Sequence, residues 1–242
     1  MISFLITLAE KKLIPDFIIR HGIKILLKRR IQSLVSDNPE KNIQEKIEFI
    51  KKMNFSSIAE VPQLANEQHY EIPPEFYNYC LGRHKKYSSC YWNEKTKNLD
   101  KAELLSLKLT SKHAKLTNDL YILELGCGWG SLTLWMAKQY PKSKITAVSN
   151  SSSQRLHILG QAKKRKLKNI SVITEDMNTF NPKVRYDRVV SVEMIEHMRN
   201  HKKLFKKIAS WLKPDGLFFM HIFVHKSQPY LFEVEESDDW MS

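Results

Sequence analysis

The chain has 242 residues, 42% of them hydrophobic, and a formal net charge of +13 at pH 7. This length suggests one domain, or one domain with an appendage, and the apolar share is ample for a core. No apolar run reaches membrane-spanning length. Cys80, Cys90 and Cys127 form an odd set without metal-ligand spacing, so the expectation is a reduced, cytoplasmic setting with no disulfide framework and no metal. The charge implies attraction to phospholipid, nucleic acid or an acidic substrate, or else a lysine-rich solvated surface.

The apolar opening, residues 1–9, is short and its basic residues follow it, which makes a poor signal peptide. Residues 17–35 read as a basic amphipathic helix, with Ile23, Leu27, Ile31 and Leu34 on one stripe and Lys24, Lys28 and Arg29 away from it. Such a stripe either packs on the protein, the favoured expectation, or lies on an anionic membrane as a peripheral contact. Asp37-Asn38-Pro39 breaks it, and a second helix is expected over 43–53. Residues 66–92 crowd aromatics and hydroxyls with little periodicity; Pro73-Pro74 starts a short helix near Glu75 and Gly82 ends it. This stretch reads equally as an aromatic lid over a site or as a packing layer.

From Tyr121 strands and helices alternate. Strands are expected at 121–125, 144–149, 170–174, 187–192 and 217–224, with helices at about 130–140, 152–166 and 201–212, the last ended by Lys213-Pro214-Asp215-Gly216. This alternation implies an α/β fold with a mostly parallel sheet covered on both faces. A helical N-terminal region with its aromatic lid would occupy 1–115, and the sheet domain 116–242.

The organising stretch is Glu124-Leu-Gly126-Cys-Gly128-Trp-Gly130. An apolar strand runs into a glycine turn and then a helix, whose free N–H groups suit a nucleotide-type ligand. The dinucleotide fingerprint G-x-G-x-x-G is not met, because Ser131 stands where its third glycine would be. Glu124, two residues before the first glycine, suits a cationic ligand. The string resembles the first motif of class I S-adenosylmethionine-dependent methyltransferases. At the end of the second strand no acid is present, so ribose contacts fall to Ser149, Asn150 and Gln154, with helix capping by Asn150 or Ser151 equally compatible. After the third strand, Asp176 is placed to accept from an adenine amino group and Met177 to pack on the ring. Glu193, Glu196 and His197 stand at i, i+3 and i+4; on a helical turn all three face one way, as proton abstraction and cation stabilisation require. The plain alternative is a solvated helix start with acids near its N-terminus. His221 within the fifth strand is either a hydrogen-bonded core residue or part of the same site.

Gln68-His69-Tyr70, Lys86-Tyr87-Ser88, the glycine motif, Glu193-Met-Ile-Glu-His-Met198 and His221-Ile-Phe-Val-His-Lys226 together resemble the cyclopropane-fatty-acyl-phospholipid synthase family, nearest its coclaurine N-methyltransferase-like branch. The likeness extends back to 13–20 and on to 238–240. It implies a Rossmann-like class I methyltransferase sheet behind an N-terminal helical cap, with S-adenosyl-L-methionine contacts at Tyr87, Ser88, Gly126, Gly128, Ser149, Asn150, Gln154 and Val192. In the N-methyltransferase branch, Glu193, Glu196 and His197 would serve acid–base and amine-orienting roles. In cyclopropane synthases, the positions of Ser89, Glu196 and His221 hold a bicarbonate base; cysteine stands there where this chain has Ser89. Family members also continue through further strands, so the sheet is expected to be truncated after its fifth strand and to leave an edge open to pairing. The implied reaction is methyl transfer to a small amine. The alternatives are cyclopropanation or methylation of phospholipid acyl chains, which belongs to lipid metabolism, or an inactive short relative. A nucleic-acid substrate ranks lower, because no N-P-P-Y-like string follows the fourth strand.

Overall fold

The computed structural model describes residues 2–60, 75–87 and 90–231. Two compact units are formed, one by residues 1–52 with 224–242 and the other by residues 53–223.

In the first unit, α1 (Ile2–Glu10) and α2 (Asp16–Leu34) precede α3 (Pro39–Phe55), whose last turn enters the second unit. Pro39 does not merely break the chain: it occupies the first position of α3, where its missing N–H costs nothing, and Asn38 Oδ1 accepts from Glu40 N at 2.9 Å. Residues 224–231 return to these helices. Gln228 Nε2 donates to Asn42 O at 3.1 Å, and the Arg30 guanidinium lies 5.3 Å from the centre of the Tyr230 ring. The expected packing of the α2 stripe is not found. No residue of α2 is buried, and Ile23, Leu27 and Ile31 are each more than two-fifths exposed. The partly covered face is a neighbouring one, Ile19, Gly22, Leu26, Arg30 and Leu34, which also recur at helical spacing. Among the described residues no helix is long and apolar enough to cross a membrane.

The second unit is built on a parallel sheet of β1 (Tyr121–Leu125), β2 (Lys144–Ser149), β3 (Ile170–Thr174), β4 (Tyr186–Val192) and β5 (Leu212–His221), in the order β3-β2-β1-β4-β5. The one-turn α4 (Tyr77–Cys80) and α5 (Leu99–His113) precede it; α6 (Ser131–Gln139), α7 (Ser152–Lys164) and α8 (His201–Trp211) connect its strands. The apolar run in β1 suits a strand covered on both sides, and its residues divide by parity. Ile122 packs with Leu107 of α5 and Met136 of α6, whereas Leu123 and Leu125 pack with Leu204 and Ile208 of α8. On α8, Leu204, Ile208 and Trp211 are buried at helical spacing while Lys202, Lys203 and Lys206 face out.

Two asparagines sew the start of this unit to its far end. Asn178 Oδ1 accepts from Ile58 N and Ala59 N at 2.9 and 3.1 Å, and its Nδ2 donates to Ala59 O. Asn200, fully buried, accepts from Lys203 N as the cap of α8 and donates to Asn54 O and Ser56 O, both at 2.9 Å.

β5 departs from expectation at both ends. It starts at Leu212 and stops at His221. Tyr186 pairs with Leu212 and Arg188 with Leu217, so Lys213–Gly216 is extruded opposite Asp187 alone. The segment expected to end the helix before the strand is a bulge inside the strand. Lys213 Nζ holds the bulge by bonding Asp187 Oδ1 and Oδ2 at 2.9 and 2.8 Å, and Asp187 Oδ2 also accepts from Tyr121 N. Burial pushes the Asp187 carboxyl up, but these hydrogen bonds and the charges of Lys213 and Arg188 hold it below its ordinary value.

Candidate active site at the carboxyl ends of β1 and β4

All three motif glycines adopt positive φ: +75° at Gly126, +51° at Gly128 and +81° at Gly130. Their surroundings differ. A Cβ on Gly126 would lie 2.5 Å from Met194 Cγ, and one on Gly130 would lie 2.6 Å from Ile158 Cγ1. A Cβ on Gly128 would meet nothing within 4 Å. Packing requires the outer two glycines, while the middle one borders open space. The turn is tied to the sheet by Gly126 N and Cys127 N, which both donate to Val148 O on β2.

That open space belongs to a cleft at the carboxyl ends of β1 and β4. The glycine turn floors it; Glu124, Val192 and Glu193 border it from the strand ends; Lys85, Lys86 and Tyr87 form the facing wall. Glu124 is nearly inaccessible, and its Oε2 accepts from Thr133 Oγ1 at 2.5 Å. Burial raises its pKa to about 8, against a smaller opposing effect of the Thr133 bond. Lys86 is also buried, which pushes its ammonium below its ordinary value although Glu193, Cys90 and Glu103 favour the charge. Tyr77 lies edge-on to Tyr87 at 5.5 Å and tilted against Trp129 at 5.5 Å, and Trp129 meets the His157 ring at 5.3 Å. Aromatics from the expected lid therefore pack beside the glycine turn.

The sequence-predicted cofactor residues are distributed along one edge of the sheet. Tyr87, Glu124, Gly126, Gly128 and Val192 line the cleft. Ser149 ends β2, beside β1; Asn150 follows it, and Gln154 lies in the first turn of α7. Ser149 Oγ donates to Gln154 Oε1 at 2.6 Å, and Gln154 Nε2 is buried without a partner among the described residues. Ser151, not Asn150, caps α7 by accepting from Gln154 N. Asp176 and Met177 follow β3; Asp176 Oδ1 accepts from Asn178 N at 2.8 Å, and Met177 is buried against the cluster around Phe180. Ser88, Ser89, Gln68, His69, Tyr70, Pro73, Pro74 and 238–240 lie outside the described residues.

After β4 the expected helical turn is not formed. Glu193 adopts φ +52° and donates its N–H to His221 O at 2.7 Å, so it precedes the turn and lines the cleft. Only Ile195–His197 form a single 3-10 turn. A left-handed residue at the first position removes the shared face that i, i+3 and i+4 would give. Glu196 Oε1 accepts from Phe223 N at 3.0 Å while its Oε2 is buried without a partner among the described residues, and His197 is exposed. His221 closes β5 opposite Val192. The structure thus gathers Glu193, Glu196 and His221 at adjoining strand ends by sheet register. Thr133 and Lys86 were missed as site residues; the clue to Thr133 was a small hydroxyl in the first turn of the helix after the glycine motif.

A parallel sheet of this order, with a glycine turn and a buried acid at the end of its central strand, defines the class I S-adenosylmethionine-dependent methyltransferase fold. Within that class, the chain belongs to the family described as mycolic acid cyclopropane synthetase, which it matches over residues 59–242. It is 36% identical over 233 residues to (S)-coclaurine N-methyltransferase of Thalictrum flavum subsp. glaucum, covering 96% of this chain and 64% of that protein. It is 28% identical over 160 residues to cyclopropane-fatty-acyl-phospholipid synthase of Escherichia coli K12, covering 65% of this chain and 40% of that one. The crystal structure of coclaurine N-methyltransferase bound to N-methylheliamine and SAH superposes with a TM-score of 0.91 at 35% identity, covering 99% of this chain and 69% of the other. Mycolic acid cyclopropane synthase CmaA1, at a TM-score of 0.58 and 23% identity over 66% of this chain and 56% of the other, shares the fold. The chain spans less than two thirds of the length of the first two curated relatives it matches.

Proposed function

We propose that this chain takes part in methyl transfer from S-adenosylmethionine to the nitrogen of a small amine. The observation that carries the reading is the cleft itself. Its floor is a left-handed glycine turn with room at Gly128, and carboxylates from two adjacent strands, Glu124 and Glu193, meet it. Glu124 suits the amino cation of the cofactor once it gives up the proton that burial favours, and the unpartnered Gln154 amide beside Ser149 suits ribose hydroxyls. Asp176 and Met177 continue the same edge toward the adenine. Tyr87 completes the wall, and Val192 the near side. Bound there, the cofactor supplies an electrophilic methyl. The chain's own task is orientation, and removal of the proton that blocks the amine lone pair. Glu196 takes that proton, in preference to the exposed His197, and Glu193 steadies the remaining positive charge. The coclaurine N-methyltransferase likeness supports an alkaloid-type amine, and the free thiols support a cytoplasmic setting.

A second reading, cyclopropanation of phospholipid acyl chains, rests on the buried unpartnered Glu196 Oε2 near the end of β5. With His221, and with Ser89 of the lid, it would hold a bicarbonate base; the basic α2 would then meet the lipid surface.

The test is calorimetric titration with S-adenosylhomocysteine, wild type against Gly128→Val. Saturable binding that the variant loses while still melting cooperatively supports the cofactor site. Labelled methyl transfer to a panel of cyclic secondary amines, against unsaturated phosphatidylglycerol vesicles, then separates the two acceptors. A folded wild type that binds no S-adenosylhomocysteine overturns the methyltransferase reading.

A further inference from the structure

The wall of the cleft opposite the sheet is a loop without secondary structure, and one buried carboxylate holds it. Glu103 lies on α5 and is fully buried. Its Oε1 accepts from Gly82 N at 2.9 Å and Lys86 N at 3.2 Å, and its Oε2 accepts from His84 N at 2.7 Å. One helical turn earlier, Asp100 Oδ1 accepts from Arg83 N at 2.7 Å. Four of the five backbone N–H groups from Gly82 to Lys86 therefore end on two carboxylates of one helix face. Hydrogen bonds from N–H groups to an ionised acceptor are about twice as strong as neutral ones. The same helix lines the cleft directly through Leu107 and Thr110. α5 is thus both part of the cleft wall and the hanger for the rest of it.

We propose that Glu103 is a positioning residue for the cofactor cleft, acting through Lys86 and Tyr87. The inference rests on the methyltransferase reading above. Lys86 takes its place opposite Glu193 only while its own N–H is pinned to Glu103, and Tyr87 follows directly. Left to itself, a loop of this length samples many conformations, and a ligand would have to order it on binding. The carboxylate meets that cost in advance, during folding. Gly82 is part of the device: a Cβ there would lie 2.7 Å from both Asp100 Oδ1 and Glu103 Oε2.

Glu103→Gln keeps the shape of the side chain but turns one acceptor oxygen into an NH2 group facing an N–H. Gly82→Ala leaves both carboxylates intact and pushes the loop away from them. Each variant is compared with wild type by amide hydrogen exchange and by titration with S-adenosylhomocysteine. The expected result is faster exchange confined to 82–86, unchanged protection of β1 and β4, and affinity at least tenfold weaker. Released amides with affinity within twofold of wild type would overturn the proposal, as would unchanged protection of 82–86 in Glu103→Gln. If Glu103→Gln does not fold, Gly82→Ala decides alone by the same tenfold criterion. A wild type that binds no S-adenosylhomocysteine refutes the methyltransferase reading, whereas a wild type that binds and variants that bind equally well refute only the role of Glu103.

Discussion

The Thr133 hydroxyl donates to the Glu124 carboxyl at 2.5 Å, and both side chains are buried, Glu124 at the edge of the cleft. Here a titratable group meets the core of the sheet, and its protonation is coupled to folding.

Glu124 has a folded-state pKa of about 8, against 4.5 for an ordinary glutamate. The folded chain therefore binds this proton more tightly than the unfolded chain. The stabilisation is fully present below pH 4.5 and is lost as the pH rises through 8, amounting to ~5 kcal/mol across that window. Urea unfolding from pH 5 to pH 9 should show wild type losing stability relative to Glu124→Gln, which cannot titrate. Parallel curves would mean that Glu124 carries no proton in the folded state.

The three motif glycines should separate stability from binding. Gly128→Ala meets open space and costs only the left-handed backbone, about 1 to 2 kcal/mol. Gly126→Ala and Gly130→Ala add overlap with Met194 and Ile158, a further ~1 to 3 kcal/mol each. Urea midpoints should rank Gly128→Ala as the mildest of the three, although it borders the cleft most openly. Equal losses at all three positions would contradict this division.

Asn200→Ala removes a helix cap and two bonds donated to the 54–56 backbone, at a cost of about 2 to 4 kcal/mol. Asn200→Asp retains the cap but sets a carboxylate oxygen against two carbonyl oxygens in a fully buried site, so it should be no more stable than alanine. Denaturant unfolding of the three proteins checks the order. An aspartate variant as stable as wild type would show that the 54–56 contacts contribute nothing.

The sheet was legible because each strand of a covered parallel sheet is a short apolar run, and Tyr121–Leu125 and Lys144–Ser149 are bounded by clear turn residues. The cofactor side was legible for a related reason: three closely spaced glycines after a strand have few other uses. The acceptor side was less so. Nothing local announces that Glu193 is left-handed, a conformation that the adjoining β5 and the bond to His221 O impose. Lys213-Pro214-Asp215-Gly216 carries turn chemistry and does turn, but as a bulge whose identity depends on pairing with Tyr186 and Arg188. Glu103 gives no sign in sequence, because its three donors lie 17 to 21 positions away in an irregular loop.

The asparagine stitches also set an order of events during synthesis. At about 5–20 residues per second, the 146 positions between Asn54 and Asn200 take ~7 to 30 s to make. Until then the carbonyls of Asn54 and Ser56 have no Asn200 to bind, and Ile58 and Ala59 must wait a similar time for Asn178. The 54–60 segment is thus among the first parts of its unit to be made and among the last to be fastened. A nascent chain stalled before Asn178 would present this segment with neither stitch made.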